Sequence, residues 1–405
     1  MPGPTLFLDV LIFGGGIAGL WTLDECVRRG WQCLLLESVA LGSGQTAASQ
    51  GIIHGGLKYM LDGRLTPAAR AIADMPDLWR QCLAGTRDPH LTNATVGSDA
   101  CYLWGTGSLK SRLLLKGAHL ALRTHPELLE PSARPAALAR VPGEVLRVPE
   151  QVIDPLSVIR SLASRHADRI LHFDSSRGPA IESRANASLS VTVHPPDSDR
   201  MLVLEPIRIL FAAGEGNAEL RRRAGLPEQV MQRRPLHMVM LRGALPELFG
   251  HCISGSTPRV TITTATDAMQ RRVWQVGGQL AERGVDCDAV TLLDAAKHEF
   301  ADVLPGLDLK HAEFAAYRIT RAEAATSTGQ RPDDVHLIEE ARILTVWPTK
   351  FALAPRLSQL IVERIAPSIE RDQCAPPSGD VLSDWPKPPL AKPPWETCNT
   401  WSSAS

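Results

Sequence analysis

The sequence lacks closely spaced cysteine pairs. Its eight cysteines are scattered over 405 residues, and none of them forms a C-x-x-C motif. Thiolate zinc sites, dithiol redox centres and iron–sulfur clusters need such pairs, so the pattern argues against all three and no metal is expected. Scattered thiols are typical of a reducing compartment, and we therefore expect a cytoplasmic protein.

The chain also lacks an excess of charge of either sign. The 43 Lys and Arg residues stand against 44 Asp and Glu residues, for a formal net charge of -1. Without a generally basic surface there is no argument for nucleic-acid binding. The apolar N-terminus is too short and too rich in glycine for a membrane span, and it has no basic region typical of a signal peptide. Peripheral contact with a membrane stays open.

What the sequence does contain is a nucleotide-binding pattern near its start. The run "LDVLIFGGG" predicts a strand buried on both faces, and a helical pattern and a second strand follow. Gly14, Gly16 and Gly19 form G-x-G-x-x-G at the turn, which permits a tight bend, approach of a pyrophosphate and close packing of the helix. Glu37 ends the second strand, where a carboxylate binds ribose hydroxyls and repels a 2′-phosphate, so NADP is disfavoured.

The next stretch, "TAASQGIIHGGLKYML", is unusually rich in glycine. Gly51, Gly55 and Gly56 permit the backbone to approach a flat ring such as a flavin. The alternative interpretation is a glycine-rich loop with a surface histidine, His54. Small donors for a pyrophosphate and a ribityl chain are available at Ser43, Gly44, Thr46, Ala47 and Ser49.

These two stretches resemble the FAD-dependent oxidoreductases of the D-amino-acid-oxidase-like superfamily. The run "IIHGGLKY" is most similar to the flavin-dependent glycerol-3-phosphate dehydrogenases, which read I-H-G-G-L-R-Y, and the L-2-hydroxyglutarate oxidases carry a related I-H-A-G pattern. The resemblance implies an α/β fold in which a Rossmann-like FAD-binding domain is interleaved with a substrate domain built on an antiparallel sheet. The implied segments are 1–64, 150–227 and 331–370 for FAD, 65–149 and 228–330 for substrate, and 371–405 for a Pro- and Trp-rich C-terminal strap.

The resemblance further implies how FAD is held. Relatives that attach FAD covalently through a histidine carry it one position earlier, where this chain has Ile53, so non-covalent FAD is favoured. The predicted cofactor-binding residues are Gly14, Gly16, Ile17, Ala18, Gly19, Glu37, Ser43, Gly44, Thr46, Ala47, Ser49, Gln50, Gly51, Ile52, Ile181, Ala213, Gly214, Thr349, Lys350 and Phe351.

Oxidation of an alcohol or amine by a flavin needs a proton acceptor, and positive charge for the reduced ring. His237 lies in the predicted strand "LHMVMLRG". The resemblance implies that this strand faces the flavin, and His237 is therefore the first choice for the base. His54 could be a base or a flavin contact. Lys350 corresponds by resemblance to a residue in a loop of the family that faces the flavin. Its positive charge could stabilise the reduced flavin or help oxygen react.

The substrate's charged group needs a clamp as well. The resemblance assigns Lys58 and Tyr59 to it, with a lysine where the relatives have arginine, together with Arg318 or Arg321, of which Arg318 is preferred. The predicted function is oxidation of a small anionic 2-hydroxy acid or polyol phosphate by hydride transfer to FAD. The electron acceptor would be oxygen, a quinone or a partner redox protein. The alternatives are an amine or amino-acid oxidase and a non-catalytic flavin-binding subunit of a larger redox complex.

Overall fold

The computed structural model describes residues 4–55, 71–107, 126–183, 188–254, 257–369 and 382–403. The strands are β1 (Thr5–Phe13), β2 (Cys33–Glu37), β3 (Val96–Ser98), β4 (Cys101–Trp104), β5 (Glu127–Leu128), β6 (Val145–Val148), β7 (Val152–Ile153), β8 (Ile170–His172), β9 (Ala180–Ser183), β10 (Leu189–Val193), β11 (Leu202–Phe211), β12 (Met231–Gly243), β13 (Gly250–Cys252), β14 (Val260–Thr266), β15 (Arg272–Gly277), β16 (Glu313–Ala324), β17 (His336–Glu340), β18 (Ile343–Trp347) and β19 (Ser402–Ser403). The helices are α1 (Ile17–Arg28), α2 (Met75–Leu83), α3 (Pro155–Arg165), α4 (Asn217–Arg223), α5 (Gln279–Arg283), α6 (Ala289–Val303), α7 (Ala354–Ile369) and α8 (Pro394–Thr397).

The first sheet is built around a parallel core. Its order is β17-β18-β11-β1-β2-β8, and β9 and β10 extend it from β11. The strand β1 is apolar throughout its inner half because both of its faces are covered. Val10 and Ile12 pack with α1, α3 and α7, whereas Leu11 and Phe13 pack with β10 and β11 on the other side. The predicted strand–turn–helix–strand unit is therefore present.

The second sheet is larger and almost entirely antiparallel. Its order is β19-β16-β12-β15-β14-β13-β4-β6-β5, with one parallel pair between β13 and β4. The long central pair runs in register from Met231 opposite Ala324 to Arg242 opposite Glu313. One face of the sheet packs on α6 through residues such as Val239 and Phe300. The other face turns toward the first sheet.

The C-terminal segment 382–403 runs across both sheets. Trp385 donates its indole N–H to the carbonyl of His172 at 2.8 Å beside β8. Further along, β19 pairs with β16, and the Arg242 guanidinium lies 4.0 Å from the Trp401 ring centroid. Residues 382–403 therefore contact both sheets, and residues 370–381 lie outside the described ranges. Among the described helices, none is both long enough and apolar enough to cross a membrane.

Candidate active site

A large cavity lies between the two sheets. Its volume is 1210 Å³, which exceeds the range of about 300–1,000 Å³ typical of sites for one small ligand. The β1–α1 turn, the loop 43–54 and the segment 346–352 line it from the first sheet, and β12 and β16 line it from the second. The space therefore suits a dinucleotide together with a substrate.

The β1–α1 turn forms a glycine cradle at one end of this cavity. Gly14 has a φ of +108°, and a Cβ there would lie 2.6 Å from the carbonyl oxygen of Ala212. A Cβ on Gly19 would lie 1.9 Å from the carbonyl oxygen of Gly14, so the helix can start this close to the strand only with glycine. The amide of Ile17 is bonded to the Thr46 hydroxyl at 3.3 Å. The cradle fits a pyrophosphate at the positive end of α1.

Glu37 lies beside the cradle and holds its loops together. One carboxylate oxygen accepts a hydrogen bond from the amide of Gly15 at 2.7 Å. The other accepts from the amides of Ser38 and Val39 at 2.9 and 2.8 Å. The side chain lines the cavity, as a residue that binds the ribose of a dinucleotide must. Its hydrogen bonds also connect the β1–α1 turn to the loop after β2, which the sequence did not indicate.

The glycine-rich stretch is fixed on both sides. Gly51 has a φ of +66°, and a Cβ there would lie 1.9 Å from the carbonyl oxygen of Ile153. Glycine is therefore required at position 51 by the close approach of β7, and not by a flat ring in the cavity. Gln50 donates to the carbonyls of Thr261 and Gln275 at 3.0 and 2.9 Å, which ties the stretch to the second sheet. Gly56, Lys58 and Tyr59 lie outside the described residues.

Most of the predicted cofactor residues line this cavity, and three do not. Gly19 packs against the backbone of Gly14, Ala47 is buried, and Ile181 packs on the apolar core beside β10. Where a contact was predicted at Ile181, the cavity is lined instead by Ser175, Gly178 and Pro179. The predicted residues on the cavity wall are Gly14, Gly16, Ile17, Ala18, Glu37, Ser43, Gly44, Thr46, Ser49, Gln50, Gly51, Ile52, Ala213, Gly214, Thr349, Lys350 and Phe351.

The strand β12 presents alternate residues to the cavity. Leu236 and Met238 line it. His237 lies between them, is buried, and hydrogen bonds through Nδ1 to the carbonyl of Gly284 at 3.1 Å. Arg318, opposite His237 in the register, donates to the carbonyls of Val285 and Cys287 at 2.7 and 2.6 Å. Both predicted residues therefore point to the segment 284–287 that follows α5, away from the cavity.

Two other arginines occupy the cavity face of the same strand pair. Arg234 and Arg321 lie opposite each other in the register, and both line the cavity. Arg234 pairs with the fully buried Glu323 at 3.1 Å, and the half-exposed Glu282 lies 3.9 and 3.6 Å from the two guanidinium groups. Burial and the adjacent Arg234 lower the pKa of the Arg321 guanidinium. This cluster is a place where an added anion is stabilised.

His54 belongs to a compact buried cluster on the same cavity. Its Nδ1 lies 3.0 Å from one oxygen of Glu150, whose other oxygen accepts from the amide of Gly55 at 2.7 Å. The ring of His251 lies 5.3 Å from that of His54 between centroids. The three side chains offer ligand atoms within 4.8 Å of one another and are of the kind that can hold a metal ion. No sequence spacing joins these positions, so the cluster could not be predicted.

The loop after β18 completes the cavity. Thr349 has a φ of +62°, in the left-handed region that favours glycine, and its hydroxyl donates to the carbonyl of Asp334 at 2.8 Å. Lys350 lines the cavity, and its Nζ lies 3.4 Å from the carbonyl of Asp333. Phe351 stacks on Trp79 with ring centroids 5.4 Å apart. The left-handed turn is thus formed without glycine.

A glycine cradle suited to a dinucleotide lies at one end of a large cavity, and comparison with known proteins identifies the class of protein. The sequence profile of the FAD dependent oxidoreductases (DAO) matches residues 9–349, and the chain belongs to this family. The predicted family, fold class and FAD cofactor are therefore confirmed.

The chain resembles one bacterial member over nearly its whole length. It is 41% identical over 396 residues to the probable FAD-dependent oxidoreductase PA4991 of Pseudomonas aeruginosa, which covers 96% of this chain and 98% of that protein. The crystal structure of PA4991 has a TM-score of 0.79 at 38% identity, over 98% of this chain and 99% of that chain.

Other relatives match a smaller part of the chain or share the fold alone. Glycerol-3-phosphate dehydrogenase 1 of Mycobacterium bovis is 28% identical over 186 residues, which are 41% of this chain and 35% of that protein. The crystal structure of glycine oxidase from Geobacillus kaustophilus has a TM-score of 0.62 at 17% identity, over 93% of this chain and 99% of that chain. This last likeness is one of fold.

Proposed function

We propose that the chain oxidises a small anionic hydroxy compound, a 2-hydroxy acid or a polyol phosphate, by hydride transfer to FAD. The observation that carries the proposal is the pair Arg234 and Arg321 on the wall of the cavity that also contains the glycine cradle. FAD supplies the hydride acceptor when bound. The protein's own task is to hold the substrate's anion, orient its C–H bond and remove the hydroxyl proton.

The anion would be held by Arg321, with Arg234 beside it. Glu282 is the most exposed acid of the cluster, and its distances of 3.6 and 3.9 Å to the two arginines are long for a salt bridge. A substrate carboxylate or phosphate can take its place and accept two parallel N–H bonds from one guanidinium. This proposal replaces Arg318 by Arg321, the alternative that the sequence had left open.

The remaining chemistry is assigned to the two predicted catalytic residues that line the cavity. We assign His54, which is hydrogen bonded to the buried Glu150, to the place beside the substrate hydroxyl, where it promotes loss of the hydroxyl proton. We assign Lys350 to the stabilisation of the reduced flavin's negative charge. The position of His237, behind the sheet, does not favour its predicted role as base.

A hydroxy substrate is favoured over an amine by the sequence relatives. Ile52 and His54 of the glycine-rich stretch line the cavity, and the proteins that match this chain in sequence beyond PA4991 include glycerol-3-phosphate dehydrogenases. The glycine oxidase likeness rests on fold alone. Oxygen, a quinone or a partner redox protein would take the electrons.

The test is anaerobic reduction of the yellow holoprotein by a panel of 2-hydroxy acids, glycerol 3-phosphate and amino acids. We expect loss of flavin absorbance with a hydroxy compound. Bleaching by amines alone would favour the amine oxidase, and a folded holoprotein that no compound bleaches would favour the non-catalytic subunit.

The first prediction compares two arginines on opposite faces of one strand. Arg321→Met should weaken binding of the reducing substrate roughly tenfold to hundredfold, because charged hydrogen bonds contribute about 1.5–3 kcal/mol. Arg318→Met removes an equal charge three residues away, and we expect little change. The concentration dependence of flavin reduction measures both. A larger loss of substrate binding in Arg318→Met than in Arg321→Met would indicate that Arg318 holds the substrate's anion.

A further inference from the structure

The cluster His54, Glu150 and His251 has the donor set of a metal site. Two imidazoles and one carboxylate are ligands that Zn²⁺ and similar divalent ions take, with three protein ligands and one open position in catalytic sites. All three side chains are largely shielded, with 13%, 6% and 0% exposure for His54, Glu150 and His251. Burial sets them apart from the exposed acidic groups that are common on protein surfaces.

We propose that His54, Glu150 and His251 bind one divalent metal ion of the zinc class at the wall of the flavin cavity. Two imidazoles bound to one tetrahedral ion with bonds of about 2.0–2.1 Å have ring centroids about 5 Å apart. The observed distance between the ring centroids of His54 and His251 is 5.3 Å. The candidate ligand atoms lie within 4.8 Å of one another. Binding would draw the ligand atoms closer by at most about 1.5 Å, to the spacing of about 3.3 Å between ligands of one tetrahedral ion.

The surroundings of the ligands support the same assignment. Metal-binding side chains usually have their second polar atom fixed by a neighbour, which orients the first. One oxygen of Glu150 accepts from the amide of Gly55 at 2.7 Å, which directs the other oxygen to His54. Nδ1 of His251 lies 2.8 Å from the Thr261 hydroxyl, which directs Nε2 of this ring as the ligand.

The position of the site gives the ion a task that rests on the proposed function. His54 and Thr261 line the cavity, whereas Glu150 and His251 lie behind it, so an open position would face the substrate. A 2-hydroxy acid offers a hydroxyl and a carboxylate oxygen to such a position. During its oxidation the C–H hydrogen leaves with its electron pair for the flavin, the hydroxyl proton goes to water, and a C=O bond forms. A cation at the hydroxyl favours loss of that proton.

The test measures metal binding directly on the FAD-loaded protein. The holoprotein is treated with a chelator, dialysed against Zn²⁺ and analysed for metal, and Co²⁺ is added to a second sample to look for ligand-field bands at wavelengths where flavin does not absorb. We expect one ion per chain and cobalt bands typical of a nitrogen–oxygen site. His251→Ala and Glu150→Gln should abolish both signals while the flavin stays bound.

Two further variants keep the result decisive. Thr261→Val retains the shape of the side chain and should weaken Zn²⁺ binding about 10–100-fold, as loss of a supporting hydrogen bond does. His90→Ala removes a half-exposed histidine beside Asp88 and should change nothing. Equal Zn²⁺ content in the wild type and in His251→Ala would overturn the proposal and leave the cluster as a hydrogen-bonded triad. Metal binding in a protein that no hydroxy compound reduces would retain the site and refute the proposed function.

Discussion

At the scale of single residues, burial decides the chemistry of the cysteines. Cys82 and Cys252 are fully buried, and burial raises the pKa of both thiols to about 12. Cys287 and Cys398 are only partly buried. Because the thiolate is the reactive form, these positions should differ strongly in reactivity.

We therefore expect iodoacetamide to modify Cys287 and Cys398 in the native protein and to leave Cys82 and Cys252 unmodified near neutral pH. Peptide mass spectrometry of a time course measures the order, and the unfolded protein serves as the reference in which all four react. Early modification of Cys82 in the folded state would contradict this assignment.

Gly19 gives a second prediction at this scale. A Cβ would lie 1.9 Å from the backbone oxygen of Gly14, so Gly19→Ala must separate α1 from β1 and should cost about 1–3 kcal/mol or more. It should also lower FAD affinity, since the cradle moves with the helix. Gly30→Ala is the control, because its left-handed φ of +81° is strained by a side chain but nothing lies within 4 Å. Urea unfolding and FAD titration measure both variants, and equal FAD affinity in the two would refute the packing argument.

At the scale of elements, β12 shows what the sequence could and could not predict. The apolar run around Met238 indicates a strand, and the glycine motif indicates the FAD cradle, because both are local signals. Alternation normally tells which side of a strand is buried. Here one face covers the cavity and the other packs against α6 and the segment after α5, so the neighbours Met238 and Val239 are both buried and the pattern does not reveal which face His237 is on. The partners of His54 depend on tertiary contacts that no spacing encodes.

The hydrogen bonds between Gln50 and the second sheet can be tested at the same scale. The Gln50 amide donates to two carbonyls of the second sheet, at Thr261 and Gln275. Gln50→Met keeps the length and removes both bonds, at a cost of about 1–3 kcal/mol. We expect faster release of FAD with little change in helix content, measured by flavin fluorescence after dilution and by circular dichroism. An unchanged release rate would show that the stretch is held by its pairing with β7 alone.

At the scale of the whole molecule, one buried acid links helices that are far apart in the chain. Asp24 of α1 bonds to Arg28 at 2.7 Å, and to Arg165 and His166 at the end of α3 at 3.1 and 2.9 Å. Burial would raise the pKa of this carboxyl, but the hydrogen bonds from His166 and Arg28 outweigh it, and the net shift is downward. A lowered pKa contributes stability above the unfolded value of about 3.9, and this stability is lost as the pH falls through the folded value.

Asp24→Asn should therefore be less stable than the wild type at pH 7, by about 3 kcal/mol as for a broken buried pair. The difference should shrink as the pH falls below about 4. Urea unfolding at several pH values measures it, with Asp294→Asn as a control that should follow the wild type, because Asp294 is exposed and its 3.5 Å contact with Lys297 is a surface ion pair that contributes little. A difference independent of pH would mean that the charge of Asp24 does not contribute.

The order of the strands along the chain has a consequence for synthesis. In the first sheet β1 lies beside β11, and β11 beside β18, yet the strands of the second sheet from β12 to β16 are made between β11 and β18. A growing chain thus exposes one edge of its FAD-binding sheet until nearly 350 residues have emerged. The loop that carries Lys350 follows directly, so the flavin site can close only after the strands from β12 to β16 have been made. Domains generally fold as units in order of synthesis, and in this protein the sheet that starts first waits for a strand made after most of the second sheet.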